Sequence, residues 1–419
     1  MNKINLLLAV LLLGITSCKD ETEEKRKAPF HITYGLPEDL TRAGGIVEFD
    51  DITILVIQNG EGAVNIVGVD GFGNDKWSKE ISCPSENGLI ALAASKLDEG
   101  RFLLSGNLAT DRPVLIEMSK DGTVEKSHKL STEYPLDLTH CTVNADGTRL
   151  YSGRAWNGMS FEGFAVRANA EGNISWSRRF PDYPHIAAAG QTGQYTFALP
   201  QFQQAPNRQP ILKLDQNGNL TQATEAFKDG DFMTSAGLIL RDNLYVILTE
   251  WNSASFYLLK INPSGETVSS LQFPSAEYPA LTTDGSSLFL TVTVGSALTV
   301  LELDGDLMTR NQKTMANVVG GNAFAVTGIT SVSQQAISSI VLPSDTDPTY
   351  GMKGVNLIRI FRSDWQTRCQ VTEYGAASIS PSFLTESLDG VTMESIEIEK
   401  ASVEIEVRNL QIRSQSVCD

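Results

Sequence analysis

The sequence predicts an all-β chain, a β-propeller of about seven four-stranded blades followed by a short β-rich C-terminal extension. Three observations carry this: a polar Gly turn that recurs at one internal spacing, apolar strands on both sides of each turn, and no helical periodicity after the N-terminal segment. At 419 residues the chain is long enough for two or three ordinary domains or for one large all-β domain. The repeat selects the second.

Five copies of the turn keep the same length: Asp70-Gly71-Phe72-Gly73, Ser119-Lys120-Asp121-Gly122, Asn169-Ala170-Glu171-Gly172, Asp215-Gln216-Asn217-Gly218 and Asn262-Pro263-Ser264-Gly265. Asp, Asn or Ser stands three residues before each Gly. This is type I turn chemistry: the first side chain bonds the backbone ahead, and Gly takes the left-handed conformation that joins two antiparallel strands. A sixth copy reads as compressed at Leu303-Asp304-Gly305-Asp306, and a seventh, ending at Asp364-Trp365, has lost its Gly. Seven units between residues 31 and 370 give a period of about 40 to 50 residues, that of propeller blades. Upstream of each hairpin lies another apolar strand, such as Ile52–Ile57 or Leu244–Leu248, and a first strand ahead of it completes four. One such blade cannot bury both faces, so the blades are expected to stack around an axis.

The repeats resemble the PQQ-like propeller superfamily, above all in the Asp-x-x-Gly-x-x-x-Trp pattern of Asp70 to Trp77, matched with Asn at Asn169 to Trp176. The likeness spans residues 31–370 and is degenerate, since only these two copies keep the Trp. Quinoprotein dehydrogenases of that superfamily carry the Trp motif in most blades and an adjacent Cys-Cys pair beside the cofactor; this chain has neither, and no cofactor is expected.

The N-terminus reads as a lipoprotein signal peptide over residues 1–17: Lys3, an apolar run from Ile4 to Leu13, then Ile15-Thr16-Ser17-Cys18. The apolar run is shorter than the roughly 20 residues of a membrane span. The last four residues resemble a bacterial lipobox, which implies lipidation of Cys18. Residues 18–30 read as the lipidated Cys and a charged tether, in which Lys19-Asp20-Glu21-Thr22-Glu23-Glu24-Lys25-Arg26-Lys27 has no apolar side chain to bury. The Lys-Asp-Glu start resembles the export signal of surface lipoproteins in Bacteroidota, which implies an outer-membrane, cell-surface location. The formal net charge of −17, from 50 acidic and 33 basic residues, repels phosphate backbones and makes nucleic acid an unsuitable partner.

Four further cysteines, Cys83, Cys141, Cys369 and Cys418, permit disulfides in an exported protein without requiring them, and no pair has metal-ligand spacing. Secreted Bacteroidota propellers of this style often end in a tail bounded by cysteines, and that resemblance makes Cys369–Cys418 the candidate disulfide around the extension, residues 371–419. Within it, Ile396-Glu397-Ile398-Glu399 and Val403-Glu404-Ile405-Glu406-Val407 alternate strictly, which reads as a short hairpin packed on the propeller.

Function is expected on the face that carries the inter-blade connections and the loops between second and third strands. The connections repeat an acid-Tyr-Pro pattern at Glu133-Tyr134-Pro135, Asp182-Tyr183-Pro184 and Glu277-Tyr278-Pro279, so Tyr134, Tyr183 and Tyr278 are candidates to ring the channel mouth. The favoured alternative is packing, with Tyr wedged between blades and Pro stiffening the strand entry. The loops offer Trp156, Phe161, Phe202, Trp251 and Tyr350, aromatics suited to protein or sugar contacts if they are contiguous. Burial against neighbouring loops is weighed equally for them.

Catalysis finds little support. His31, His128, His140 and His185 are scattered, and there is no nucleophile elbow, His-Glu-x-x-His or phosphate loop. Asp345, Asp347 and Asp364 lack the Gly and terminal Glu of a calcium loop, so no metal is expected. The expectation is a non-catalytic scaffold that binds another envelope protein. The alternatives are a periplasmic role like that of the propeller lipoprotein of the outer-membrane barrel-assembly machinery, and glycan binding or processing by Trp156, Trp251 and Tyr350 beside carboxylates.

Overall fold

A computed structural model describes residues 30–35, 40–60, 62–110, 112–144, 146–192, 194–201, 207–250, 255–274, 276–294, 297–315, 326–332, 336–342, 354–362 and 383–416. Apart from one short 3-10 turn, Pro84–Glu86, every described element is a strand. Cys18, Phe202, Trp251, Tyr350, Cys369 and Cys418 lie outside the described residues.

The strands fall into seven antiparallel sheets, numbered here in chain order. Sheet 1 comprises Leu40–Glu48, Thr53–Asn59, Val64–Val69 and Asp75–Ser82, and sheet 2 Leu89–Lys96, Arg101–Leu108, Arg112–Ser119 and Val124–Ser131. Sheet 3 comprises Leu136–Val143, Arg149–Trp156, Phe161–Ala168 and Ile174–Phe180, and sheet 4 His185–Gln191, Tyr195–Gln201, Arg208–Asp215 and Leu220–Phe227. Sheet 5 holds Phe232–Leu240, Asn243–Glu250, Ser255–Ile261 and Thr267–Pro274, and sheet 6 Glu277–Thr283, Leu288–Val294, Ala297–Leu303 and Thr309–Met315. Sheet 7 is built from Val326–Val332, Ala336–Leu342 and Gly354–Phe361, with Phe30–Gly35 from the other end of the chain as its fourth strand. First strands of successive sheets pack side by side, and that of sheet 7 packs on that of sheet 1, so the sheets surround an axis. The architecture is a β-propeller of four- and five-stranded blades.

The cores lie between sheets. Ile54, Val56, Val64 and Ile66 of sheet 1 meet Phe102, Leu104, Val114 and Ile116 of sheet 2, and similar clusters fill the clefts between sheets 2 and 3, 3 and 4, 4 and 5, and 5 and 6. Second and third strands are buried almost throughout, because both of their faces meet a neighbour. Fourth strands are exposed or half-buried at most positions, as expected at the rim; Asp75–Ser82 is buried at Ser78 and Ile81, and Val124–Ser131 at Leu130.

The recurrent turns adopt the expected geometry. In each of the five copies the Gly has φ between +74° and +88° and donates its N–H to the carbonyl of the residue three before it. The sixth copy corrects the sequence reading. It is not compressed; Leu307, at φ +65°, takes the left-handed place and bonds Asp304, while Gly305 does not. The Leu307 side chain is buried in the cleft between sheets 5 and 6, which offsets the backbone strain. The two motif tryptophans have a definite role. A Cβ at Gly122 would lie 2.8 Å from the Trp77 ring, and one at Gly218 2.7 Å from Trp176, so each Trp of one sheet seats on the turn of the next. Lys79 Nζ and Arg178 Nε donate to the same two turn carbonyls at 2.8 and 2.9 Å.

The C-terminal extension differs from the expected hairpin. Its strands do not pair with one another; each adds a fifth, antiparallel strand to a different sheet: Leu384–Ser387 to sheet 4, Glu394–Ser395 to sheet 3, Glu399–Ser402 to sheet 2, Glu406–Asn409 to sheet 1 and Arg413–Ser416 to sheet 7. Between strands, apolar side chains enter the clefts: Phe383 between sheets 4 and 5, Ile396 and Ile398 between 2 and 3, Val403 and Ile405 between 1 and 2. The tail is a belt around the rim. Truncating Ile396 to Ala is expected to cost about 2 kcal/mol, the lower end for a buried isoleucine because the rim can relax, read as a lowered urea midpoint with unchanged slope.

Candidate functional site

Every first strand carries a register shift, for example between Ala91 and Ala93 in sheet 2 and between Leu138 and His140 in sheet 3. A bulge leaves one residue unpaired and re-aims it. The bulge residues Leu92 and Thr139 line a cleft of about 540 Å³ with Ile90, Asn107, Leu108 and Asp137, between sheets 2 and 3. The opposing second strands leave no room for a side chain at two places: a Cβ on Gly106 would lie 2.2 Å from the Ile90 carbonyl, and one on Gly153 2.0 Å from that of Asp137.

Asn107 fixes the cleft wall. Its Nδ2 donates to Asp137 Oδ1 at 2.7 Å and to the Leu138 carbonyl at 2.9 Å, while its Oδ1 accepts the Leu138 N–H at 2.8 Å. The other carboxylate oxygen, Asp137 Oδ2, receives Arg154 Nε at 2.8 Å and a terminal guanidinium nitrogen at 2.7 Å. Arg154 in turn lies over the Phe161 ring, 4.6 Å from its centroid, and Phe161 meets Trp156 at 4.9 Å with the ring planes tilted by 60°.

Trp156 and Phe161 are paired across the hairpin that ends the second strand and begins the third. The four residues between them are held by Asn157, whose Oδ1 accepts both the Met159 and Ser160 N–H groups at 2.9 Å and whose Nδ2 donates to Glu162 at 2.5 Å. Gly158 takes φ +93° at the tip. This ordered tip leaves Met159 87% exposed, with Trp156 at 38% and Phe161 at 42%. The site is therefore a rigid apolar knob beside an Arg–Asp–Asn cluster, facing a half-apolar cleft.

Other sequence candidates fall elsewhere. Tyr183 is 2% exposed in the core between sheets 3 and 4, and burial pushes its phenol up to about 12, so it is no part of the exposed surface. Tyr134 is half-buried with the Arg179 guanidinium over its ring, and Arg179 also pairs with Glu162 at 3.2 Å. Tyr278 belongs to the first strand of sheet 6, but its side chain lies outside the described residues. The polar partners Asn107, Asp137 and Arg154 were not singled out in the sequence. His185 joins them electrostatically: burial first, then Arg154, hold its imidazole below the usual range, with Asp137 opposing. Among the described residues no group of three or more His, Cys, Asp or Glu is placed to hold a metal, and no helix is long and apolar enough to cross a membrane.

No protein-family model matches the chain, and no curated protein matches it in sequence. Among solved structures it is similar to a protein of unknown function from Bacteroides caccae, at 13% identity over 65% of this chain and 94% of that one, with a TM-score of 0.40. It is also similar to an uncharacterized protein from Listeria monocytogenes, at 11% identity over 73% and 92%, with a TM-score of 0.43.

Two outcomes follow. Gly153→Ala is expected to force the Asp137 backbone away, destabilising the fold by about 1–3 kcal/mol in urea titration. On the same first strand, His140 Nε2–H donates to the Ala189 carbonyl of sheet 4 at 2.9 Å, and burial lowers its pKa to about 4, against 6.5 for a free imidazole. The unfolded chain therefore binds a proton that the folded chain refuses, so stability falls as pH drops below 6.5, by on the order of 2 kcal/mol at about pH 5. His140→Gln keeps a donor but should lose this share of the pH slope, as measured by urea midpoints at both pH values.

Proposed function

We propose that the chain is a non-catalytic cell-envelope lipoprotein, lipidated at Cys18 and held at the outer membrane, probing its surroundings from the cell surface with a propeller that binds another envelope protein. The observation that carries this reading is the exposed Trp156–Met159–Phe161 knob, braced by Arg154 and Asp137. Trp and Arg are enriched at the energetic centres of protein interfaces and Met at adaptable ones, and an ordered hairpin loses little entropy on docking. The Arg154 guanidinium covers one face of Phe161, a face that sugar stacking would need open. The lipid anchor and surface location rest on the lipobox-like Ile15-Thr16-Ser17-Cys18 and the Lys-Asp-Glu start of the tether.

The same reading takes the seven sheets as seven blades of one ring, in a degenerate member of the PQQ-like superfamily. The seating of Trp77 and Trp176 on the next turn supports it.

The test is isolation of the lipidated protein from its own cells in mild detergent, beside a Trp156→Ala/Phe161→Ala variant. A stoichiometric envelope protein is expected with the parent, its apparent affinity falling at least about tenfold in the variant. Equal recovery from both, or recovery of the propeller alone with binding to purified glycans, would overturn the reading.

A further inference from the structure

The belt keeps count with the sheets. Ser78, Ser127 and Ser177 occupy one place in the fourth strands of sheets 1, 2 and 3, five residues after Gly73, Gly122 and Gly172. Their hydroxyls donate to the carbonyls of Leu410 (2.8 Å), Val403 (2.5 Å) and Ile396. The step between these carbonyls is seven residues each time, 410 − 403 and 403 − 396. In sheet 4 the N–H of Leu388 donates to the Ala223 carbonyl, as that of Leu410 does to the Ser78 carbonyl, so the next step, 396 − 388, is eight. The sequence shows the same period: Ile396-Glu-Ile398, Val403-Glu-Ile405 and Leu410-Gln-Ile412 begin successive units.

Among the described residues only two outer edges carry no fifth strand, Thr267–Pro274 of sheet 5 and Thr309–Met315 of sheet 6. They are neighbours, and the described chain points at them from both sides. It leaves sheet 7 at Arg362, whose guanidinium lies 2.7 Å from Asp284 and 3.7 Å from Glu302 of sheet 6. It resumes at Phe383 in the cleft between sheets 4 and 5, where Thr385 Oγ1 accepts the N–H of Thr267 at 3.0 Å and donates to its hydroxyl at 3.2 Å. Between these points lie 20 residues, 363–382. At seven or eight residues per sheet, two sheets take about 14 to 16, leaving enough for the approach from Arg362.

We infer that the outer edges of Thr267–Pro274 and Thr309–Met315 are docking edges for residues 363–382 of this same chain, so that the belt passes all seven sheets.

One measurement on the full chain tests this: hydrogen exchange compared between the parent and a variant whose residues 363–382 are replaced by a Gly/Ser segment of equal length. Exchange is expected to speed up about tenfold or more in peptides covering 267–274 and 309–315, and not in those covering 75–82 or 124–131. Unchanged rates at the two edges, or protection that depends on protein concentration and so marks a second copy, would overturn the proposal.

Discussion

A twisted sheet with apolar side chains on both faces can hide them only if it has a neighbour on each side, and this constraint governs the molecule. Ile54 and Val56 of sheet 1 face sheet 2, while Leu55 and Ile57 beside them are equally buried on the opposite face. No sheet is self-sufficient, so an arrangement around an axis is the solution that leaves none of them half-covered. Sheet 7 shows how the two chain ends contribute: Phe30–Gly35 supplies its fourth strand, and Tyr34 within it reaches the turn of sheet 1, donating its hydroxyl to the Gly73 carbonyl at 2.6 Å.

Packing alone would let neighbouring sheets slide, and polar contacts fix their register. Turn carbonyls are claimed by side chains from the preceding sheet, by Lys79 at Gly122, Arg178 at Gly218 and Thr224 at Gly265; at Gly172 the belt supplies Lys400. Two buried ion pairs add directional constraint across clefts: Arg149 with Glu117 at 2.8 Å between sheets 3 and 2, and Arg359 with Glu48 at 3.5 Å between sheets 7 and 1. Such pairs contribute little net stability after desolvation, but breaking one partner leaves a buried charge, so they penalise any other register.

The sequence revealed what is local and hid what is assembled. The turns were legible because Asp or Asn followed by Gly at fixed spacing is a complete structural instruction. At Leu307 the same instruction failed, because Gly305 drew attention two residues too early and a buried leucine supplied the left-handed turn. The alternation in Ile396–Glu399 and Val403–Val407 falls mostly on the links between belt strands, where Ile396, Ile398, Val403 and Ile405 enter the clefts; the strands follow at Glu399–Ser402 and Glu406–Asn409, and period two does not say which partner a strand takes. The aromatic knob was visible as Trp156 and Phe161. Its polar brace was not, since Asn107, Asp137 and Arg154 come from two sheets and meet only through strand pairing and the bulges.

The placement of the knob follows from the same division of labour. Second and third strands are committed on both faces to the cores, and fourth strands to the belt or the rim, so freedom to vary remains in the first-strand bulges and the loops beyond them. A bulge costs ladder bonds at one point and gains an unpaired residue; the same device recurs in every sheet, and in sheets 2 and 3 it borders a cleft lined by Ile90, Leu92 and Thr139. Glycines at 106 and 153 allow the bulged strands to come close enough for Asn107 to hold Asp137, and Asp137 to hold Arg154. Rigidity there is inherited from the scaffold: the side chains that present Met159 to solvent are anchored in strands that cannot move without opening a core.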